Sequence, residues 1–79
     1  MEFQIINKLQ GIFRLFFRDN EIVLSNQTTA QDIDKWDSLI HLELISVIEH
    51  EFNLTFSLDE ILTIKNVGEL IQIIIHKQV

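Results

Sequence analysis

An all-α four-helix bundle with a long first loop and a short third helix is what this sequence predicts. Three observations carry that expectation. Apolar residues recur at three- and four-residue spacing in separate stretches, polar capping signatures stand ahead of the later ones, and no apolar–polar alternation runs long enough to require a strand. At 79 residues, 47% of them hydrophobic and 23% charged, the chain suits one folded domain, taken as residues 1–79.

The first helix is expected at about residues 3–18. Ile6, Leu9, Phe13 and Phe16 follow the helical spacing, and Phe3, Ile5 and Ile12 widen the stripe. Gly11 costs such a helix about 1 kcal/mol relative to Ala and is read as the mark of a close contact. A polar stretch from Asp19 to Asp37 follows, long for a connection in so small a domain. Ile22, Leu24, Ile33 and Trp36 are the residues that would pin it to the helices.

A second helix begins at Asp37-Ser38 and runs to about Glu51, with Asp37 as its N-cap. Steps of about 100° per residue put His41, Leu44, Ile45, Ile48 and Phe52 on one face. Leu39, Glu43, Ser46 and His50 fall opposite, flanked by Leu42 and Glu49. The first set reads as core and the second as an exposed apolar and acidic surface. Ile40 and Val47 share a flank that is expected to pack on the third helix, or to line a pocket.

Ser57-Leu58-Asp59-Glu60 fits a capping box for a short third helix. Asn66 to Glu69 offers a weaker version ahead of a fourth, with Val67, Leu70, Ile71, Ile74 and Ile75 facing inward. Asn53 to Phe56 is expected to be extended at most.

Charge narrows the partners. Eight of the twelve acids lie between Asp32 and Glu60, where Lys35 is the only Lys or Arg, so that segment carries −7 while the rest is near neutral. Such a block repels phosphate backbones, which excludes nucleic acid, and attracts basic protein patches. With no cysteine there is neither a disulfide nor a thiolate metal site, and any reactive thiol must come from a cofactor. Absence of Cys suits a cytoplasmic protein. Neither an export signal nor a run near the ~20 apolar residues of a membrane span is expected. His41, His50 and His76 lack zinc-type spacing, so no metal is expected.

Asp37-Ser38-Leu39 at the head of an acidic amphipathic helix, followed by Leu44-Ile45 and then Glu49-His50-Glu51-Phe52, resembles the acyl carrier protein family. The lead-in Asp32-Ile33-Asp34-Lys35-Trp36 and the positions of Phe56, Glu60 and Val67 extend the resemblance over nearly the whole chain. It implies a stand-alone, monomeric, non-catalytic carrier. A phosphopantetheinyl transferase would move 4'-phosphopantetheine from coenzyme A to the Ser38 hydroxyl, with Asp37 as the motif acid and helix cap. Acyl groups would ride as thioesters on the terminal thiol. Leu39, Leu42, Glu43 and Glu49 would meet basic patches of acyl-loading and acyl-processing enzymes. Fatty acid synthesis is the default pathway, and a specialised lipid, polyketide or surface-polysaccharide route competes with it. Ile40, Ser46 and His50 depart from the residues that many carriers place there, which loosens the partner assignment and leaves the attachment site unaffected.

Two other readings stand beside this one. In the first, Ser38 serves only to cap a helix, in an unmodified adaptor of the same fold. A hydrolase would need Asp37, Ser38 and His41 as a triad, but all three sit on one helical turn with no oxyanion hole in view, so that reading is set aside. His41 is instead expected to be partly buried and hydrogen-bonded.

Overall fold

The first helix, α1, spans Glu2–Phe17 and buries Ile5, Leu9, Ile12, Phe13 and Phe17. The computed structural model describes residues 2–78. Phe3 does not join this face and is 74% exposed. Two residues along a helix turn the side chain by about 200°, so Phe3 and Ile5 point nearly opposite ways. The stripe is therefore centred on Ile5, Leu9 and Phe13, with Ile6 and Phe16 at its half-buried edge.

Gly11 also departs from expectation. It is exposed, and a Cβ added there meets nothing within 4 Å. No close contact explains it, so it is simply a weak point in the helix. Gly11→Ala is expected to stabilise the protein by about 1 kcal/mol, read as a rise in the urea midpoint without a change in slope. Unchanged or lower stability would contradict this.

Beyond α1 the chain turns at Arg18, whose φ of 55° lies in the left-handed region, and Asp19 N–H returns to Arg14 O at 3.0 Å. That pairing takes up a helix-end carbonyl that no further turn can satisfy. The loop then runs to Asp37 and is held at several points. Ile22, Leu24 and Trp36 are buried, and Ile33 packs on the core at half burial. Arg14 Nε donates to Ile22 O at 2.8 Å, and Leu24 N–H donates to the Gln10 side chain at 2.9 Å. A short 3-10 turn, Ala30–Asp32, is capped by Thr29.

Lys35 carries a φ of 74°. It is the third residue of a turn closed by Trp36 N–H on Ile33 O at 3.3 Å. That position favours glycine, because a Cβ costs about 1–2 kcal/mol in the left-handed region. Lys35→Gly is expected to raise stability by about 1 kcal/mol, reported by the thermal midpoint. A drop in the midpoint would show that the Lys35 side chain compensates for its backbone.

The second helix, α2, spans Ser38–Phe52 and buries Leu44, Ile45 and Ile48, as its spacing predicts, with His41 and Phe52 half-buried. It ends at Asn53, left-handed at φ 55°, and no strand forms at Asn53–Phe56 among the described residues. The third, α3 (Leu58–Thr63), is only six residues long, too short to be stable alone. Its capping box is complete: the Ser57 side chain accepts Glu60 N–H, and the Glu60 carboxylate accepts Ser57 N–H at 2.8 Å. That backbone N–H, together with Lys77 Nζ at 2.9 Å, holds the Glu60 carboxyl below the usual glutamate value.

The fourth, α4 (Val67–Gln78), buries Val67, Leu70, Ile71 and Ile74, and Ile75 is half-buried. Asn66 caps it, accepting Glu69 N–H at 2.8 Å, while the Glu69 carboxylate accepts Lys65 N–H at 3.0 Å. Its first N–H groups go to the long loop: Val67 N–H to Thr28 O and Gly68 N–H to Asn26 O, both at 2.9 Å. The close approach belongs to Gly68, where a Cβ would lie 2.9 Å from Asn26 O.

Helix α1 packs against both α2 and α4, and Phe13, Trp36 and Phe17 form an aromatic group at their junction with the loop. No polar or charged residue is buried among those described. The loop thus becomes a fixed strap, and it delivers the backbone to the start of α2 in one orientation.

Candidate functional site

Asp37 is extended, at φ −108° and ψ −174°, and its Oδ1 accepts Ile40 N–H at 2.9 Å. Its own carbonyl accepts His41 N–H at 2.8 Å, which starts the helical ladder. Ser38 is therefore the first helical residue and not the cap. Capping is accomplished by the residue before it, and the exposed Ser38 hydroxyl stands free for other use. Around it the helix N-terminus offers unsatisfied N–H groups and partial positive charge, which suit an attached phosphate.

His41, one turn on, does not serve Ser38. Trp36 Nε1–H donates to His41 Nδ1 at 3.1 Å, and His41 Nε2 lies 3.1 Å from Ile61 O. Indole nitrogen is only a donor, so Nδ1 accepts, and the ring proton sits on Nε2 and goes to Ile61 O. Both ring nitrogens are engaged away from the serine. The triad geometry is not formed. Nor do the described residues include any cluster of three or more side chains suited to a metal.

The docking candidates separate into two kinds. Leu39 is 69% and Leu42 is 47% exposed, and Glu43 is also exposed, so all three stand on the surface around Ser38. Glu49 is half-buried, and one of its oxygens accepts Phe56 N–H at 2.7 Å. It ties the chain after α2 to that helix, and only its other oxygen is left to face a partner. Leu58 and Leu62 of α3 are exposed as well, and Leu62 stands beside Ser38 and Leu42, which sequence reasoning missed. Six residues hold less than two turns, too few for periodicity to mark an outward face.

Beside Ser38 lies a cavity of about 360 Å³ between α2, α3 and the loop, lined by Trp36, His41, Leu42, Ile61, Leu62 and Ile64 among others. Here the flank assignment of Ile40 is corrected. Ile40 borders a hollow with Phe16 and Phe17 of α1 and is not among the residues lining the cavity beside Ser38, which α2 lines with His41 and Leu42. Val47 is 37% exposed. A larger, more polar hollow of about 680 Å³ lies at the first loop, bordered by Asp19, Glu21 and Lys35, and does not include Ser38.

Residues 7–74 match the family model described as "Phosphopantetheine attachment site". The chain belongs to the acyl carrier protein family. The solution structure of a holo acyl carrier protein from Geobacter metallireducens is 42% identical, with a TM-score of 0.86, over 92% of this chain and 84% of that one. No curated protein sequence matches. As a family member the carrier is non-catalytic and bears a covalent phosphopantetheine group, and a phosphopantetheinyl transferase and acyl-processing enzymes act on it. None of the described helices is long and apolar enough to cross a membrane.

Proposed function

We propose that the carrier holds acyl intermediates as thioesters on an arm joined to Ser38. The observation that carries this reading is the division of labour at the start of α2, where Asp37 satisfies the helix end and the Ser38 hydroxyl remains exposed. In the attachment step the Ser38 oxygen attacks phosphorus in the pyrophosphate of coenzyme A. One P–O bond forms as another breaks, adenosine bisphosphate leaves, and the hydroxyl proton passes to a base on the transferase. When bound, the arm supplies the thiol that the cysteine-free chain lacks.

Leu39, Leu42 and Glu43, extended by Leu62, form the surface on which partner enzymes would dock. Exposed ion pairs contribute only about 0–1 kcal/mol each, so the apolar side chains supply much of the contact and Glu43 steers it. An apolar cavity beside the attachment point favours a hydrocarbon cargo, as in fatty acid or specialised lipid synthesis. A cysteine-free carrier loaded from coenzyme A suits the cytoplasm.

Intact mass spectrometry tests the reading. Incubation with a broad-specificity transferase and coenzyme A is expected to add one phosphopantetheine, located by fragmentation to Ser38. Protein that stays unmodified with several active transferases would sink it.

A further inference from the structure

Beside Ser38, the cavity has a rim and a floor of different kinds. Ser38, Leu42, Leu62 and Lys65 are exposed and form the rim. Trp36 is buried, and His41 and Ile61 are half-buried, so these three form the floor. They are also joined to one another. The indole N–H donates to His41, and His41 donates to the carbonyl of Ile61, so a chain of two hydrogen bonds crosses from the loop through α2 to α3.

Ile61 lies within the last four residues of α3, whose carbonyls have no partner inside the helix. His41 supplies one. A six-residue helix depends on such outside support, and at its other end α3 has the Ser57 box and the Lys77 ion pair with Glu60. Further along α2, Leu44, Ile45 and Ile48 are fully buried in the core. A cargo chain could pass deeper only if α3 moved away from α2, and that movement breaks the hydrogen bond between the half-buried His41 and Ile61.

We infer that His41 is a specificity-determining residue: its two hydrogen bonds clamp α3 to the loop and limit how far an acyl chain sinks beside Ser38, so the cavity shelters short acyl groups. This rests on the carrier reading above.

Acyl thioesters from butanoyl to hexadecanoyl on the full chain test it, with the arm first verified by mass and protection read as the slowing of hydroxylamine cleavage. In the native protein protection is expected to level off at short chains. His41→Leu keeps an apolar side chain but removes both hydrogen bonds, and its protection is expected to keep rising, to about fivefold beyond native for the longest chains. His41→Gln has an acceptor for Trp36 and a donor for Ile61, so it is expected to follow the native profile.

Identical profiles for native and His41→Leu protein overturn the inference. So does His41→Gln behaving like His41→Leu, since shape and not hydrogen bonding would then set the limit. If His41→Leu does not fold, the native protein still decides. Its Trp36 indole N–H resonance should hold its hydrogen-bonded position after hexadecanoyl loading, and a shift to a free indole position overturns the proposal. Absence of the arm at the mass check is a failure of the carrier reading, seen before any cargo is compared.

Discussion

Ser38→Ala is expected to abolish arm attachment completely and leave the fold intact. Removing the Ser38 oxygen takes away the only atom of that side chain able to form the phosphodiester. It takes nothing from the helix, because Asp37 holds the cap and Ser38 is exposed. Surface changes of this kind usually stay within about 0.5 kcal/mol. The variant and the native protein should therefore unfold at nearly the same urea concentration. With transferase and coenzyme A only the native protein gains mass. A variant that still accepted one arm would move the attachment to another hydroxyl. One that unfolded would show that Ser38 contributes to the helix after all.

Phe13→Ala should have the largest effect on stability. Phe13 is fully buried, its ring 5.3 Å from Trp36 in an edge-on arrangement and 5.9 Å from Phe17. Truncating a buried Phe to Ala costs about 3–5 kcal/mol through lost transfer energy and the void left behind. A domain of 79 residues has a total stability of about 4–12 kcal/mol, so the change consumes much of it. Circular dichroism at 25 °C is expected to show a large fall in the urea midpoint, or a partly unfolded variant. Far-UV dichroism is the better probe here, because the only Trp touches the altered residue. A loss below 1 kcal/mol would mean that the aromatic group collapses into the space.

The effect should also reach the site. Trp36 leans on Phe13 with one edge and donates to His41 with its indole nitrogen. The residue two positions before Ser38 is thus anchored in the core, and the geometry of the attachment site is coupled to the packing of α1. That coupling explains how a loop of nearly twenty residues can present one serine in a fixed setting.

Much of this was legible beforehand because it depends on local rules. The apolar spacing of α2 and α4 reports burial directly, since one helical face meets the core whatever the partner. Asp37, Ser57 and Asn66 announce helix starts because short polar side chains satisfy the free N–H groups of a first turn. The family motif around Ser38 could be read for the same reason: its residues are adjacent in the chain.

What stayed hidden depends on residues far apart in sequence. Nothing local distinguishes Gly11, which touches nothing, from Gly68, which lies against Asn26 O. Ile40 borders Phe16 and Phe17 and not the cavity beside Ser38, because periodicity gives a direction around α2 and not the helix that waits there. Glu49 reads as a docking acid until Phe56 N–H is found on its oxygen. Four helices, their caps and the serine at the start of α2 can be read from chain order, since each follows from neighbours within a turn. That His41 joins Trp36 to Ile61, and that a cavity opens beside them, emerges only from the folded chain, because such hydrogen bonds and voids exist once separate segments meet.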